Sequence, residues 1–159
     1  MKLFNFIKRN SEQVVAPISG KCISITRVND QVFSSKSLGD GFAIIPNDCM
    51  VVSPVDGKIT LIAETKHAFG VKTEKGVEIL VHIGLDTVQL EGRGFAVHVK
   101  QGEKVKAGDQ VISFEKAYVE DSSIDMTTMT VFTSGMTEEV RLGYYEKQVT
   151  QGDILISKI

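Results

Sequence analysis

The stretch Thr60–Val88, TLIAETKHAFGVKTEKGVEILVHIGLDTV, carries two of the chain's three histidines, His67 and His82. The run HAFGV, which starts at His67, and the run VEILVHI, which starts at Val77, are rich in residues that favour strands. A short polar segment with a glycine, TEKG at 73–76, separates them. This pattern predicts a β-hairpin with one histidine on each strand.

The pairing register of this hairpin decides whether the two imidazoles face each other. A loop formed by Glu74 and Lys75 alone pairs His67 directly with His82, on one face of the sheet and about 5 Å apart at Cβ. A bulge at Gly76 shifts the register by one residue and places the histidines on opposite faces. The sequence favours the first register without excluding the second.

A pair of facing histidines has three ordinary interpretations. They are core histidines bonded to backbone, ligands of a metal, or a reactive imidazole beside a partner that binds its substrate. The neighbouring residues favour the third. Gly84 follows the strand of His82 and allows close approach to its backbone, while Thr65 places a hydroxyl two residues before His67, where it can orient the ring.

Composition excludes several classes of function. The chain has 159 residues, a net charge of −2 and dispersed basic residues, so a nucleic-acid partner is not expected. Cys22 and Cys49 form neither a CxxC motif nor a disulfide framework, which indicates a reducing, cytoplasmic location with buried thiols. No stretch approaches the roughly 18 apolar residues of a membrane span.

The body of the chain contains an internal repeat. APISGK at 16–21 resembles SPVDGK at 53–58, and VKAGD at 105–109 resembles VTQGD at 149–153. Two copies are too few for a solenoid. Together with many Val, Ile and Thr residues, they predict two similar halves in an all-β, antiparallel sandwich or closed barrel-sandwich. Helix is expected only as short turns, one of them within Met136–Tyr145.

We expect a single domain over residues 13–159 and a flexible tail over residues 1–12. The tail places Leu3, Phe6 and Ile7 at helical spacing among basic residues. An alternative to disorder is therefore an amphipathic segment, residues 1–10, that touches the inner membrane.

Three motifs extend these inferences. SPVDGKI at 53–59, ETKHAF at 64–69 and GVEILVHIGLDTVQLEGRGF at 76–95 closely resemble the glucose-type enzyme IIA (EIIA) family of the bacterial phosphoenolpyruvate-dependent sugar phosphotransferase system (PTS). VKAGDQVISF at 105–114 continues the match, so the resemblance covers nearly the whole chain. It implies the β-sandwich fold predicted above.

The resemblance also implies the chemistry. His82 would accept a phosphoryl group on a ring nitrogen from the histidine-containing phosphocarrier protein. His67 would steady the phosphoryl oxygens, and Thr65 would orient the histidine pair. The phosphoryl group would pass to a cysteine on an EIIB domain of a sugar permease. No cofactor is required, although His67 and His82 are expected to bind zinc weakly.

By the same resemblance, Val32, Phe33 and Val88 would form an apolar collar that docks partners and keeps water from the intermediate. Phe69 would either pack nearby or lie in the core, and Asp86 would shape the contact with a partner. Phe33 follows the polar Asn29-Asp30-Gln31 and precedes two serines. This loop context predicts that Phe33 is an exposed docking residue and not part of the core.

Three other functions fit parts of the pattern. His82-x-x-x-Asp86 resembles half of a zinc hydrolase site, but a catalytic zinc normally has three protein ligands, and His98 stands alone. The Gly-Asp turns resemble those of biotinyl or lipoyl carriers, but no Met-Lys-Met is present at a hairpin tip. A regulator that binds partners without transferring phosphate would not need both histidines and Thr65.

Overall fold

The structure, a computed structural model, describes residues 12–121 and 123–159. The predictions for the N-terminal tail, including membrane contact through residues 1–10, lie outside the described residues. None of the helices in the described part of the chain is long and apolar enough to cross a membrane. The elements are β1 Val14–Val15, β2 Gly20–Ser24, α1 Gln31–Ser34, β3 Asp40–Pro46, β4 Met50–Val52, β5 Gly57–Ile62, β6 Ala68–Lys72, β7 Glu78–Ile83, β8 Phe95–Val97, β9 Lys104–Val105, β10 Gln110–Phe114, α2 Lys116–Glu120, β11 Thr128–Ser134, β12 Gln148–Val149 and β13 Ile154–Ile156.

The strands form three antiparallel sheets. The largest has eight strands in the order β12-β2-β3-β11-β7-β6-β5-β9, a second joins β4, β10 and β8, and a third pairs β1 with β13. Within the described residues, two short 3-10 helices, Ile25–Arg27 and Thr87–Leu90, lie in connections. The all-β prediction is confirmed. The helix expected within Met136–Tyr145 is wrong, because that segment contains no helix and only the start of a hydrogen-bonded turn at residues 143–146.

Hydrogen bonds confirm the internal repeat. Gly20 of β2 pairs with Val149 of β12, just as Gly57 of β5 pairs with Val105 of β9. The turns that follow β9 and β12 match as well, because Asp109 accepts from the Lys106 amide and Asp153 from the Thr150 amide, both at 2.8 Å. The large sheet is therefore built from two equivalent halves that meet between β11 and β7.

Alternating burial separates the two faces of the large sheet. In β7 every second residue, Ile79, Val81 and Ile83, is buried in the main core. That core also contains residues of the small sheet, such as Val51 and Phe114, so the two sheets pack as a sandwich. Burial of each such aliphatic side chain stabilises the fold by about 1.5–3 kcal/mol.

A second, smaller cluster covers the outer face of the large sheet. It comprises Ile23, Ile25, Val28, Phe33, Ala43, Met129 and Val131. Phe33 belongs to α1, whose first turn is capped by the Asp30 carboxylate accepting from the Val32 amide at 2.9 Å. The loop expected around Phe33 is thus a short capped helix with its aromatic ring turned inward.

Candidate active site

The two histidines meet, but not through the hairpin register that the sequence favoured. β6 and β7 pair Ala68 with His82. This is the alternative register, shifted by one residue, that a bulge at Gly76 was expected to produce. The prediction that His67 and His82 are direct cross-strand partners is wrong. Their ring centroids nevertheless lie 4.8 Å apart, with the planes at 79°.

A tight turn explains why this register does not separate the rings. His67 precedes the first residue of β6, and Lys66 before it has a positive φ of 60°. The Lys66 amide donates to the Ala63 carbonyl at 2.8 Å, which closes the turn. Because His67 lies outside the regular strand, side-chain alternation does not set its direction.

His82 is fixed on three sides. Its Nδ1 lies 2.9 Å from the Gly84 carbonyl oxygen, an acceptor, so Nδ1 carries the hydrogen and donates. The Phe33 ring lies on a second side, 5.0 Å between centroids, and His67 on a third. In the neutral ring the free lone pair is therefore on Nε2.

Position 84 requires glycine because of its backbone conformation and because no space is left for a side chain. Its φ is 81°, and a Cβ there would come within 2.4 Å of the Thr87 methyl group. The Gly84 amide donates to the Thr127 carbonyl at 3.0 Å. The close backbone approach expected at Gly84 thus involves its carbonyl, which holds His82.

His67 is oriented by the hydroxyl that the sequence indicated. Thr65 Oγ1 lies 2.7 Å from His67 Nδ1. His67 is buried, and its backbone carbonyl accepts from the Ile83 amide at 2.7 Å. The main chain therefore ties the turn to the end of β7, while Thr65 sets the ring orientation.

Burial keeps the imidazoles uncharged. Burial first, and then the neighbouring His67 ring, lower the pKa of His82 from 6.5 to about 4. The Gly84 carbonyl and the carboxylates of Asp30 and Asp86 act in the opposite direction and are outweighed. Burial also lowers the pKa of His67. Both rings are neutral near pH 7, the form in which imidazole is nucleophilic.

The donor atoms around this pair are few. Within residues 12–121 and 123–159, no group of three or more His, Cys, Asp or Glu side chains is placed to hold a metal ion. His98 is exposed just after β8, with Nε2 2.8 Å from the Ser113 hydroxyl, as expected for an ordinary surface histidine. The histidine pair thus supplies two of the three protein ligands of a typical catalytic zinc site.

The residues predicted to contact partners divide into two groups. Val32 and Val88 are each 51% exposed, and Asp86 is exposed at the start of a 3-10 helix. Phe33 is only 6% exposed and Phe69 is fully buried. The exposed position expected for Phe33 is wrong, because Phe33 packs on His82. Phe69 takes the core position that was one of its two expected places.

Two leucines beside His82 were missed. Leu80 shares a face with His82 two residues along β7, and the pairing of β5, β6 and β7 aligns it with Gly70 and Leu61. Leu61 is 47% exposed. The period-2 pattern of VEILVHI could have placed Leu80 on the face of His82, but Leu61 is brought there only by the pairing of β5 with β6.

Comparisons with known proteins identify the family of the chain. Residues 12–137 match the family model described as phosphoenolpyruvate-dependent sugar phosphotransferase system, EIIA 1. A glucose-specific EIIA component from Bacillus cereus is 46% identical over 134 residues, covering 84% of this chain and 81% of that protein. The solved glucose permease IIA from Mycoplasma capricolum is 40% identical, with a TM-score of 0.80 over 94% of this chain and 96% of that one.

Longer relatives carry the same region as one part of a larger protein. A glucose-specific EIICBA component from Streptococcus pneumoniae is 46% identical over 125 residues, which cover 79% of this chain but 17% of that protein. A glucosamine-specific EIICBA component from Bacillus subtilis is 42% identical over 132 residues, 21% of its length. The chain thus belongs to the EIIA 1 family of the phosphoenolpyruvate-dependent sugar phosphotransferase system, whose members are phosphotransferase components acting through phosphohistidine.

Proposed function

We propose that His82 is the residue that carries the phosphoryl group, and that its Nε2 is the acceptor atom. The observation that supports this most strongly is the hydrogen bond from His82 Nδ1 to the Gly84 carbonyl. It holds the proton on Nδ1 and leaves the lone pair on Nε2. Nε2 attacks the phosphorus of a phosphohistidine on the donor, and the donor's P–N bond breaks as the new one forms.

His67 and Thr65 assist this step. The Thr65 hydroxyl donates to His67 Nδ1, which places the ring hydrogen of His67 on Nε2. That N–H is then available to donate to an oxygen of the phosphoryl group held on His82. Phosphoryl transfer depends mainly on positioning and on stabilising such oxygens, so this single donor acts where charge is highest.

The donor is the histidine-containing phosphocarrier protein and the acceptor is a cysteine of an EIIB domain. Fusion of the matching region to other components in the EIICBA relatives supports the second partner. Both partners dock on the outer face of the large sheet around the histidines, through the exposed Val32, Val88 and Leu61 and the half-buried Leu80, with Asp86 at the edge. Small, transient interfaces of this kind suit a carrier that changes partners.

The remaining elements of the proposal concern location and metal. The protein acts in the cytoplasm beside a sugar permease, and residues 1–10 supply any membrane contact. Transfer requires no cofactor. Zinc binds weakly to His67 and His82 alone, because the typical third protein ligand has to come from elsewhere.

Phosphorylation by purified general PTS proteins tests these roles. His82→Gln should abolish acid-labile phosphate incorporation from phosphoenolpyruvate. His67→Gln should still accept phosphate but pass it on slowly to an EIIB domain. A His82→Gln protein that gains the full phosphate mass would overturn the assignment of His82. Tight stoichiometric zinc, with transfer lost to chelator, would instead favour a metal-dependent function.

A further inference from the structure

A row of three lysines crosses neighbouring strands away from the histidines. β5 pairs Lys58 with Lys104 of β9 on one side and with Lys72 of β6 on the other. Directly opposite residues project from the same face of a sheet, with Cβ atoms about 5 Å apart, and like charges so placed are destabilising. Pairing these lysines therefore lowers the stability of the fold, which indicates that the row serves a function other than stability.

Only part of this repulsion is relieved within the chain. Lys72 Nζ lies 3.6 Å from the Glu78 carboxylate. Lys58 and Lys104 make no ion pair with any residue that the structure describes. Both side chains are exposed, so two adjacent ammonium groups are left for an anion from solution.

The lysines line a surface groove. The groove has a volume of about 1000 Å³, at the upper end of the range for small-molecule sites. Its walls are Lys58, Lys72, Lys75, Lys104 and Lys106 with Thr60 and Thr73, and apolar contacts come from Val77, Val105 and Ile159. Ammonium and hydroxyl groups beside an apolar surface suit a phosphorylated organic molecule.

Four carboxylates also line the groove, and three of them are engaged. Glu12 forms ion pairs with Lys75 and with Lys158. Asp56 accepts from the Ala107 amide and Asp109 from the Lys106 amide, both at 2.8 Å. These three carboxylates thus hold the walls of the groove, and Glu74 is the fourth. Five lysines line the groove against four carboxylates, and among the lysines Lys58 and Lys104 are the two adjacent ones without an ion pair to a described residue.

We propose that this groove binds a phosphate-bearing anion through Lys58 and Lys104, with Lys72 and Lys106 beside them. The ligand is a soluble phosphate compound or the phosphate of a lipid headgroup, since both present the same chemistry to the lysines. The site is separate from the histidine pair. Lys72 lies four residues from Ala68, the cross-strand partner of His82, about 13 Å along β6.

Amide spectra of the full-length, unphosphorylated protein test the proposal. Inorganic phosphate, pyrophosphate and glucose 6-phosphate are titrated in turn at constant ionic strength. At least one probe should produce saturable shifts at the amides of Lys58, Lys72 and Lys104. These shifts should persist in His82→Gln, which separates the groove from the phosphoryl site. Shifts confined to His67 and His82 would overturn the proposal.

A charge-matched pair of variants controls for net charge. Lys58→Gln with Lys104→Gln should weaken binding by at least about tenfold. Lys116→Gln with Lys147→Gln removes the same charge from exposed positions elsewhere and should leave affinity unchanged. The first pair should also raise the thermal midpoint in the absence of anion, because it removes the like-charge row. Equal loss of affinity in both pairs would show a general charge effect and refute the site.

Vesicles identify the source of the phosphate. Phosphatidylcholine vesicles with and without phosphatidylglycerol are compared in sedimentation. Binding that needs phosphatidylglycerol and is lost in the Lys58/Lys104 double variant supports a lipid headgroup. Vesicle binding that is the same in both double variants excludes the lipid source, because residues 1–11 are identical in each. No saturable binding of either vesicles or soluble probes would overturn the proposal.

Discussion

Equivalent positions in the two halves of the large sheet carry different chemistry. Phe42 and Phe69 are fully buried counterparts in β3 and β6. The residues paired next to them are Gly41 with Val131 in one half and Ala68 with His82 in the other. The same backbone frame therefore places an apolar valine in one half and the proposed phosphoryl acceptor in the other.

The residues two positions before these phenylalanines differ in the same way. Asp40 corresponds to His67, and its carboxylate accepts from the amides of Gly41 and Val140, both at 2.8 Å. It also pairs with Lys36 at 3.4 Å. Asp40 thus anchors the chain around it, whereas His67 is held by Thr65 and keeps a nitrogen for another partner.

The connections before β3 and β6 account for much of this difference. Residues 63–67 form a tight turn that carries His67 itself. Residues 25–39 form a longer connection that folds over the outer face, buries Val131 and presses Phe33 against His82. The comparison shows that the site is assembled across the repeat, with His82 from one half and the Phe33 ring that covers it from the other.

Removing the apolar cover should have the largest effect. Phe33→Ala deletes a buried ring and should lower the free energy of unfolding by about 3–5 kcal/mol. Val32→Ala, in the same helix but exposed, should change it by less than about 0.5 kcal/mol. Urea unfolding of both variants measures the difference. Equal costs would mean that the longer connection does not cover the sheet as described.

Lowering the pH should destabilise the half with the histidines. The pKa of folded His82 is about 4, below its ordinary 6.5, so the unfolded chain binds more protons between these values. The part of the free energy of unfolding that depends on neutral His82 is therefore fully present above about pH 6.5. It is lost as the pH falls towards 4. The free energy of unfolding of His82→Gln should depend less on pH in this window than that of the wild type. His98→Gln is the control, and it should behave as wild type.

Loss of the Thr65 hydroxyl should have a smaller, kinetic effect. Thr65→Val keeps the side-chain shape but cannot hold His67 Nδ1, and one hydrogen bond contributes about 0.5–1.5 kcal/mol. Transfer to an EIIB domain should slow by about two- to tenfold. Thr65→Ser restores the hydroxyl and should recover the rate. If transfer by Thr65→Ser is as slow as transfer by Thr65→Val, the hydroxyl of Thr65 does not set the transfer rate.

The cap of α1 should give the smallest change. Asp30→Ala removes the acceptor of the Val32 amide and should cost about 1 kcal/mol of stability. Asp30→Asn keeps an acceptor and should cost less. Because the Asp30 charge raises the pKa of His82, both variants should move that pKa further down. Titration of the His82 ring signals checks this, and an upward shift would contradict it.

Local patterns in the sequence were sufficient for the parts of the protein that are themselves local. The strand pair around TEKG, the Thr65 hydroxyl beside His67 and the repeated Gly-Asp turns all involve residues close together in the chain. The exposure of Val32 and Val88 followed from the family resemblance. These features depend on propensity, spacing and turn chemistry, which a sequence displays directly.

Tertiary structure decided the rest. Phe33 looked like a loop residue because its neighbours are polar, and it is buried because Met129 and Val131 of a distant strand offer it an apolar surface. The histidines meet because the turn at Lys66 redirects the chain before β6, although the register of β6 and β7 would separate them. The lysine row exists only when β9, β5 and β6 are paired. For Phe33 and the lysine row the deciding contact joins residues far apart in sequence, and local composition does not encode which distant surface a side chain will meet. For the histidines the deciding turn is local, but the sequence allowed more than one register of the hairpin that follows it.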